Sequence, residues 1–249
     1  MHGDRGAWSG AVHLGSGWLV YAGPLGTAEA HAHHAVQVVV APDPVSVVDG
    51  EGLQARGRHL VVPADRPHAL DGGAGTGLVA YLDPSLVGPV APQVEARDDL
   101  PPLVAVDGID AAEAWADAVA AALGRAPRAG RDELVRAAVT AIRTRLPDRV
   151  RLAEVAASIG CSPSSLTHRF SAQVGIPMRR WVLWERLLVA GRHVAVGDRL
   201  TEAAHAAGFA DSAHLNRTFR RMFGLAPSEI AGAVTWHVRS VPERSSAPG

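Results

Sequence analysis

Two groups of residues in this chain have types and spacings suited to chemistry. The first is His31, His33 and His34, followed about 35 residues later by His68 in PADRPHAL. On a strand, residues two apart point to the same side. His31 and His33 therefore face one way and His34 the other, and His68 ends a neighbouring β run. Converging imidazoles with Gln37 beside them can bind a divalent transition metal, line a small-ligand pocket, or bond one another inside a barrel. The expected metal or ligand pocket is His31, His33, Gln37 and His68. Glu29 and Asp65 are the nearby carboxylates, and neither sits in a recognisable catalytic motif.

The second group lies in an approximate repeat with a separation of 48 or 49 residues. Gly160, Leu166, Phe170 and Gly175 have counterparts in Gly208, Leu215, Phe219 and Gly224. An Ala-rich amphipathic helix precedes each copy, carrying Leu152, Val155, Ala156 and Ile159 in one and Leu200, Ala203, Ala204 and Ala207 in the other. A short helix, a Gly-containing turn and a second helix make a helix-turn-helix. Ser162 and Pro163 supply an N-cap and first-turn proline for the first copy, and Asp211 caps the second. Leu166 and Phe170, four apart, share the inward face.

At about 100° per residue the outward positions follow. They are Ser164, His168 and Ser171, flanked by Ser165 and Thr167, in the first copy, and Ala213, Arg217 and Arg220, flanked by Ser212, His214, Asn216 and Arg221, in the second. Small side chains allow close approach to a major groove, while Arg, Asn, His, Ser and Thr meet base edges or phosphates.

The elements that position these groups are of two kinds. From Trp8 to about Pro92, short β-rich runs alternate with Gly, Pro and Asp: GWLVYAG, HAVQVVVAP, VSVVDGEG, RHLVVPAD and TGLVAYLDP. That spacing predicts a sandwich or small barrel. Beyond a Pro-rich connector the period is helical. Ile109, Ala112, Ala116, Val119 and Leu123 predict a helix over 109–124 whose stripe has coiled-coil spacing, suited either to a homodimer seam or to packing on its own barrel. GRAPRAG breaks it, a helix follows from Asp132 to Leu146, and a long connecting helix runs from Met178 to about Val196. The expected class is α+β, with a barrel domain at 1–100, a connector at 101–130, an all-α domain at 131–239 and a flexible tail at 240–249.

Charge divides along the same line. Residues 1–130 hold 7 Arg against 15 acidic residues, and residues 131–239 hold 16 Arg against 9. The basic half suits a polyanion. Lys is absent and Cys161 is the single cysteine, which excludes an internal disulfide or a multi-cysteine zinc cluster and suits a reducing cytoplasm. No apolar run approaches a membrane span of about 18 residues, and MHGDRGAWSG has no signal-peptide core, so a cytoplasmic protein is expected.

The stretch Val150–Ile230 closely resembles the DNA-binding domain of the AraC family of transcription regulators. LAEVAASIGCSPSSLTHRF, WERLLVAGRHV and GFADSAHLNRTFRRMFGLAPSEI carry the resemblance, with Gly208, Phe209, His214, Arg217, Phe219, Gly224, Pro227 and Ser228 on the family pattern. His168 stands where the family often has Arg, and Ile230-Ala231 where it usually has an aromatic-Arg pair. The HxH pair with its later His resembles a cupin, with Gln37 where metal-binding cupins commonly have Glu, and also resembles the cupin-like sensor domains that precede AraC-type domains.

These resemblances imply a sequence-specific regulator with two helix-turn-helix units in successive major grooves. Its implied partners are duplex DNA, a small-molecule effector, a second copy of the chain and, for an activator, RNA polymerase. A metal-dependent cupin enzyme with a helical appendage is the rival expectation, and a barrel that only dimerises is another.

Overall fold

In the run Val36-Gln37-Val38-Val39-Val40 every side chain is buried, so one strand faces two interiors, alternate residues pointing to opposite sides. The computed structural model describes residues 8–73, 75–124 and 132–239. The expected tail at 240–249 and most of the helix-breaking stretch at 124–130 lie outside the described residues.

The strands are β1 (Gly10–Leu14), β2 (Trp18–Pro24), β3 (Thr27–His31), β4 (Val36–Asp49), β5 (Gln54–Val62), β6 (His68–Asp71), β7 (Thr76–Leu82), β8 (Glu95–Ala96) and β9 (Val234–Val238). Helices α1 (Pro84–Val87) and α2 (Ile109–Leu123) follow β7 and β8. The helical half comprises α3 (Glu133–Arg143), α4 (Leu152–Ser158), α5 (Pro163–Val174), α6 (Met178–Ala195), α7 (Leu200–Ala206), α8 (Ser212–Phe223) and α9 (Pro227–Ala231).

The strands form one curled sheet in the order β3-β6-β4-β7-β2-β1-β9, with β5 on β4 and β8 on β5. The path is open. The small barrel expected from strand spacing takes the form of a half-barrel, because both faces of the sheet are covered by helices and no closure is needed to bury them.

Val20, Val36, Val38, Val40, Leu78, Ala80 and Leu82 pack against Ala112, Trp115, Ala116, Val119 and Leu123 of α2. The stripe expected as a homodimer seam is thus spent on the chain's own half-barrel, with Val119 fully buried. Burying a large apolar side chain is worth about 1.5–3 kcal/mol, which fixes α2 there.

The opposite face of the sheet carries Val12, Leu14, Tyr21, Val39, Val79 and Tyr81. It packs against Trp184, Leu187 and Leu188 of α6 and Leu215, Met222 and Phe223 of α8. The first helix-turn-helix has a separate core, in which Val135, Ala138 and Ile142 of α3 meet Val155, Leu166, Phe170, Val174 and Trp181. One recognition unit is therefore self-contained, and the other shares its interior with the half-barrel.

Two further differences from the sequence reading have physical causes. The runs HAVQVVVAP and VSVVDGEG are one strand, β4, which continues through Pro42 and Pro44 by shifting register between Val40 and Val45. Prolines lack the N–H a ladder needs and are tolerated at such a bulge. Residues 234–238, expected within the all-α unit, form β9 in parallel register on β1, from Gly10↔Val234 to Leu14↔Val238. Val234, Trp236 and Val238 pack onto the shared core.

Candidate nucleic-acid interface and histidine cluster

Each recognition helix starts on a side-chain cap and ends on a left-handed glycine. Ser162 Oγ accepts from Ser165 N at 3.1 Å, and Gly175 closes α5 at φ 83°. Asp211 Oδ1 accepts from His214 N at 2.6 Å, and Gly224 closes α8 at φ 68°. Gly160 and Gly208 turn each unit at φ 71° and 76°. Only glycine adopts these values without strain, which explains why the repeat keeps glycine at all four positions. At Gly208 a Cβ would also meet Pro147 O at 2.2 Å.

The apolar positions turn inward: Leu166, Phe170 and Val174 in α5, and Leu215, Met222 and Phe223 in α8, are buried. Ser164, Thr167 and His168 are exposed on α5, as are Ala213, Asn216, Arg217, Arg220 and Arg221 on α8. Ser165, Ser212 and His214 are half-buried. Thr167 Oγ1 donates to Pro163 O at 2.9 Å, so its hydroxyl hydrogen is already used. The His214 ring packs edge-on against Phe209 at 5.2 Å, giving it a structural task beside any contact outside.

Arg179, Arg180, Arg186 and Arg221 line a cleft beside α8. The sequence reading missed all but Arg221. The signal was Arg179-Arg180 in the first turn of α6, a place without significance until α6 is seen beside α8.

The half-barrel brings the expected pocket residues together. His31 and His68 are register partners across β3 and β6. The rings of His31 and His68 lie 4.2 Å apart, those of His33 and His68 4.9 Å, and those of His31 and His33 5.7 Å. Gln37 Oε1 sits 2.9 Å from the Nε2 atoms of both His33 and His68. His31, His33 and His68 are all buried, and burial pushes their pKa values down, to about 3 for His33 and about 2 for His68. His34 points away and pairs with Asp65, which also accepts from Arg180 at 2.8 Å. The rings that face one way do so although β3 ends at His31 and residues 32–35 form the bend into β4.

A second cavity, invisible in the sequence, opens where the sheet meets the helical half. It measures about 290 Å³ and is walled by Leu14 and Leu19 from the sheet, Trp184 and Gly191 from α6, and Phe219 and Phe223 from α8, among others. Its walls come from residues some two hundred positions apart, so no local pattern could announce it.

Residues 155–232 match the family model described as a helix-turn-helix domain. They are an AraC-type helix-turn-helix domain. With this domain the chain is a DNA-binding transcription regulator. No curated protein matches the chain by sequence. Among solved structures, apo ToxT from Vibrio cholerae is 12% identical with a TM-score of 0.57, covering 90% of this chain and 100% of that one. ToxT with an unsaturated fatty acid bound is 11% identical with the same TM-score of 0.57, covering 89% and 97%. ToxT bound to (E)-4-(8-methylnaphthalen-1-yl)but-3-enoic acid is 8% identical with a TM-score of 0.55, covering 88% and 99%. The AraC-type domain of this chain thus sits in a two-domain fold like that of ToxT, half-barrel first and helices after. Among the described residues no helix is long and apolar enough to cross a membrane.

Proposed function

We propose that this regulator grips duplex DNA with the outward faces of α5 and α8, and that an apolar small molecule in the cavity between half-barrel and helices sets how α8 is presented. The observation that carries the second half is the shared wall. Phe219 and Phe223 of α8 line the cavity together with Leu14 and Leu19 of the sheet, so an occupant touches both domains at once. A ligand shifts an equilibrium only by binding one arrangement better than another, and a cavity at a domain junction supplies that difference.

The DNA half rests on the AraC-type domain and on side-chain chemistry. α8 exposes Asn216, Arg217 and Arg220, which suit adenine, guanine and phosphate. α5 exposes smaller groups with one imidazole, His168, so the firmer hold is assigned to α8. The connecting helix α6 has 18 residues and so is about 27 Å long. That is a rigid spacer on the scale of the DNA repeat of about 34 Å.

The lining also suggests the ligand class. ToxT has been solved with a fatty acid and with a naphthalenyl butenoic acid, both apolar bodies bearing a carboxylate. In this chain the one charged lining residue is Asp198, which disfavours a carboxylate nearby, and the buried Trp184 Nε1–H lacks an acceptor among the described residues. An uncharged apolar molecule carrying an acceptor oxygen fits better.

The test uses duplexes selected by the purified chain from a random-sequence pool, with binding read by fluorescence anisotropy in the presence of oleyl alcohol or oleic acid. The expected result is a change in DNA affinity with the alcohol at lower concentration than with the acid. Equal affinity with and without both compounds would count against the cavity as an effector site, while failure to select any duplex would count against the DNA assignment itself.

A further inference from the structure

We propose that the cleft where the bend between β3 and β4 meets α6 and the last turn of α8 binds a small organic phosphate, its phosphoryl oxygens held by Arg179, Arg180 and Arg221 and its carbon body resting on Leu183. This cleft shares no lining residue with the apolar cavity of Leu14, Phe219 and Phe223, so the proposal goes beyond the apolar-effector reading and does not depend on it.

Charge in the cleft is unbalanced. The guanidinium groups of Arg179, Arg180, Arg186 and Arg221 line it against a single carboxylate, that of Asp65. Asp65 is already committed, accepting from Arg180 Nη1 at 2.8 Å and bonding the His34 ring. Arg186 is half-buried and donates from Nη2 to Asp148 O at 3.2 Å, while burial lowers its pKa with no carboxylate to offset the effect. Among the described residues neither Arg179 nor Arg221 forms a side-chain ion pair. Isolated arginines facing open water need no partner. Like charges gathered in a concave place differ, because low-dielectric walls focus their field and raise the local concentration of anions.

The groups present select the class of anion. Asp65 is held against Arg180 by the fold itself, so a ligand carboxylate offers that guanidinium nothing that Asp65 does not already supply at high effective concentration. A phosphate monoester carries about −1.5 to −2 charges at pH 7 and three strong acceptor oxygens, enough to meet Arg179 and Arg221 and to take Arg180 from Asp65. Planar guanidinium forks match such oxygens two bonds at a time. The volume of about 470 Å³ is of small-molecule size and admits more than a phosphate ion. Half-buried Leu183 supplies an apolar surface beside the arginines for the carbon portion.

A duplex fits this place less well than a small molecule. Ala32 N donates to Arg221 O at 3.1 Å, and Ala32, His34 and Asp65 of the half-barrel form one wall of the cleft. DNA lying along Asn216 and Arg217 has to pass that wall to reach the arginines, whereas a small molecule enters beside it. Arg221, expected from the sequence on the DNA-reading face, is thereby assigned to the cleft.

The experiment follows the fluorescence anisotropy of 4-methylumbelliferyl phosphate, an apolar ring bearing a phosphate monoester, titrated with the full chain in phosphate-free buffer at neutral pH. Expected is saturable binding at one site per chain, displaced by inorganic phosphate but not by acetate at equal ionic strength, and absent with the uncharged 4-methylumbelliferyl glucoside. Arg179→Ala should weaken probe binding by about fivefold or more. Asp65→Asn should tighten it by about threefold or more, since the competing charge is gone and asparagine tolerates the left-handed φ of 65° at this position. Thermal melts verify that both variants are folded. With a selected duplex present at saturation the probe should stay bound. Absence of saturable binding, acetate competing as well as phosphate, or unchanged affinity in folded Arg179→Ala overturns the site. Weaker probe binding in folded Asp65→Asn overturns the competition on which the choice of phosphate rests. Complete displacement of the probe by duplex makes the cleft a contact to backbone phosphates and overturns the assignment to a small molecule.

Discussion

Trp181 Nε1 donates to Asp83 Oδ1 at 2.6 Å, fastening the connecting helix α6 to the turn that follows β7. Asp83 is fully buried and also accepts from Ser85 N at 2.7 Å and from Arg143 Nη2 at 2.7 Å. Arg143 is shared, because its Nε and Nη2 reach the two oxygens of Glu185 at 2.9 Å. Two buried carboxylates therefore compete for one guanidinium.

Burial first, and the Glu185 charge second, raise the Asp83 pKa to about 7 from 3.8. The folded state then holds a proton between about pH 4 and 7 that the unfolded chain has released. This group's contribution to stability accordingly grows as pH falls through that window and is lost as pH rises through 7. The buried histidines act in the opposite direction at the acid end, so the variant difference is the useful readout. Asp83→Asn keeps an acceptor for Trp181 and Ser85 but cannot titrate. Urea midpoints at pH 5 and pH 8 should differ less in Asp83→Asn than in the native chain, with the variant gaining ground at pH 8. Parallel pH dependence in the two proteins would rule the shared proton out.

Arg217 is exposed in mid-α8 while its neighbour Thr218 is buried, so truncating the arginine leaves the core untouched. A good bidentate contact from arginine to guanine is worth about 1–3 kcal/mol. Arg217→Ala should weaken binding to selected duplexes by about fivefold to more than a hundredfold with an unchanged melting temperature. His168→Arg on α5 should tighten binding and steepen its salt dependence through an added phosphate or base contact. Titrations at two salt concentrations measure both, and native affinity in Arg217→Ala would remove α8 from the groove.

How much of this was readable in advance depended on how local each pattern is. The helix-turn-helix repeat was legible because caps, left-handed glycines and inward apolar pairs lie within a few residues of one another, as in Asp211, Leu215 and Gly224. The grouping of His31, His33 and His68 was expected from strand alternation, yet His33 lies in the bend between β3 and β4, so the bend and not a strand turns its ring toward His31. What Ile109, Val119 and Leu123 pack against was not, since an apolar stripe fits another copy or its own sheet equally well. β9 was missed although Val234, Trp236 and Val238 alternate as a strand should, because its partner β1 lies more than two hundred residues earlier. The shared core of half-barrel and α8 depends on the same long-range pairing.

The burial of α2 leads to its own prediction. Val119 is fully enclosed by the half-barrel, so Val119→Glu places a carboxylate among Val, Leu and Trp side chains. An uncompensated buried charge costs several kcal/mol, a large part of a domain's stability. The variant should unfold at lower temperature and lose its soluble folded fraction, whatever the oligomeric state. A variant that stays as stable as the parent and only changes sedimentation would return α2 to the role of a seam between copies.

The last prediction isolates the interdomain cavity. Gly191 lies on the face of α6 that lines it, and a Cβ there would come 3.3 Å from Leu14 Cδ1, close enough to press on a flexible side chain rather than on backbone. Glycine within a helix costs about 1 kcal/mol relative to alanine, so a side chain at 191 regains helix propensity while filling space. In Gly191→Leu the added isobutyl group should occupy part of a volume of about 290 Å³ and leave too little room for a long apolar effector. The expected phenotype is a chain that is at least as heat-stable as the parent, binds selected duplexes, and no longer changes DNA affinity with oleyl alcohol. Gly191→Ala, which adds one methyl group, should retain part of the response. If Gly191→Leu folded and kept the full response, the effector would have to act elsewhere, and the shared wall of Leu14, Phe219 and Phe223 would be packing alone.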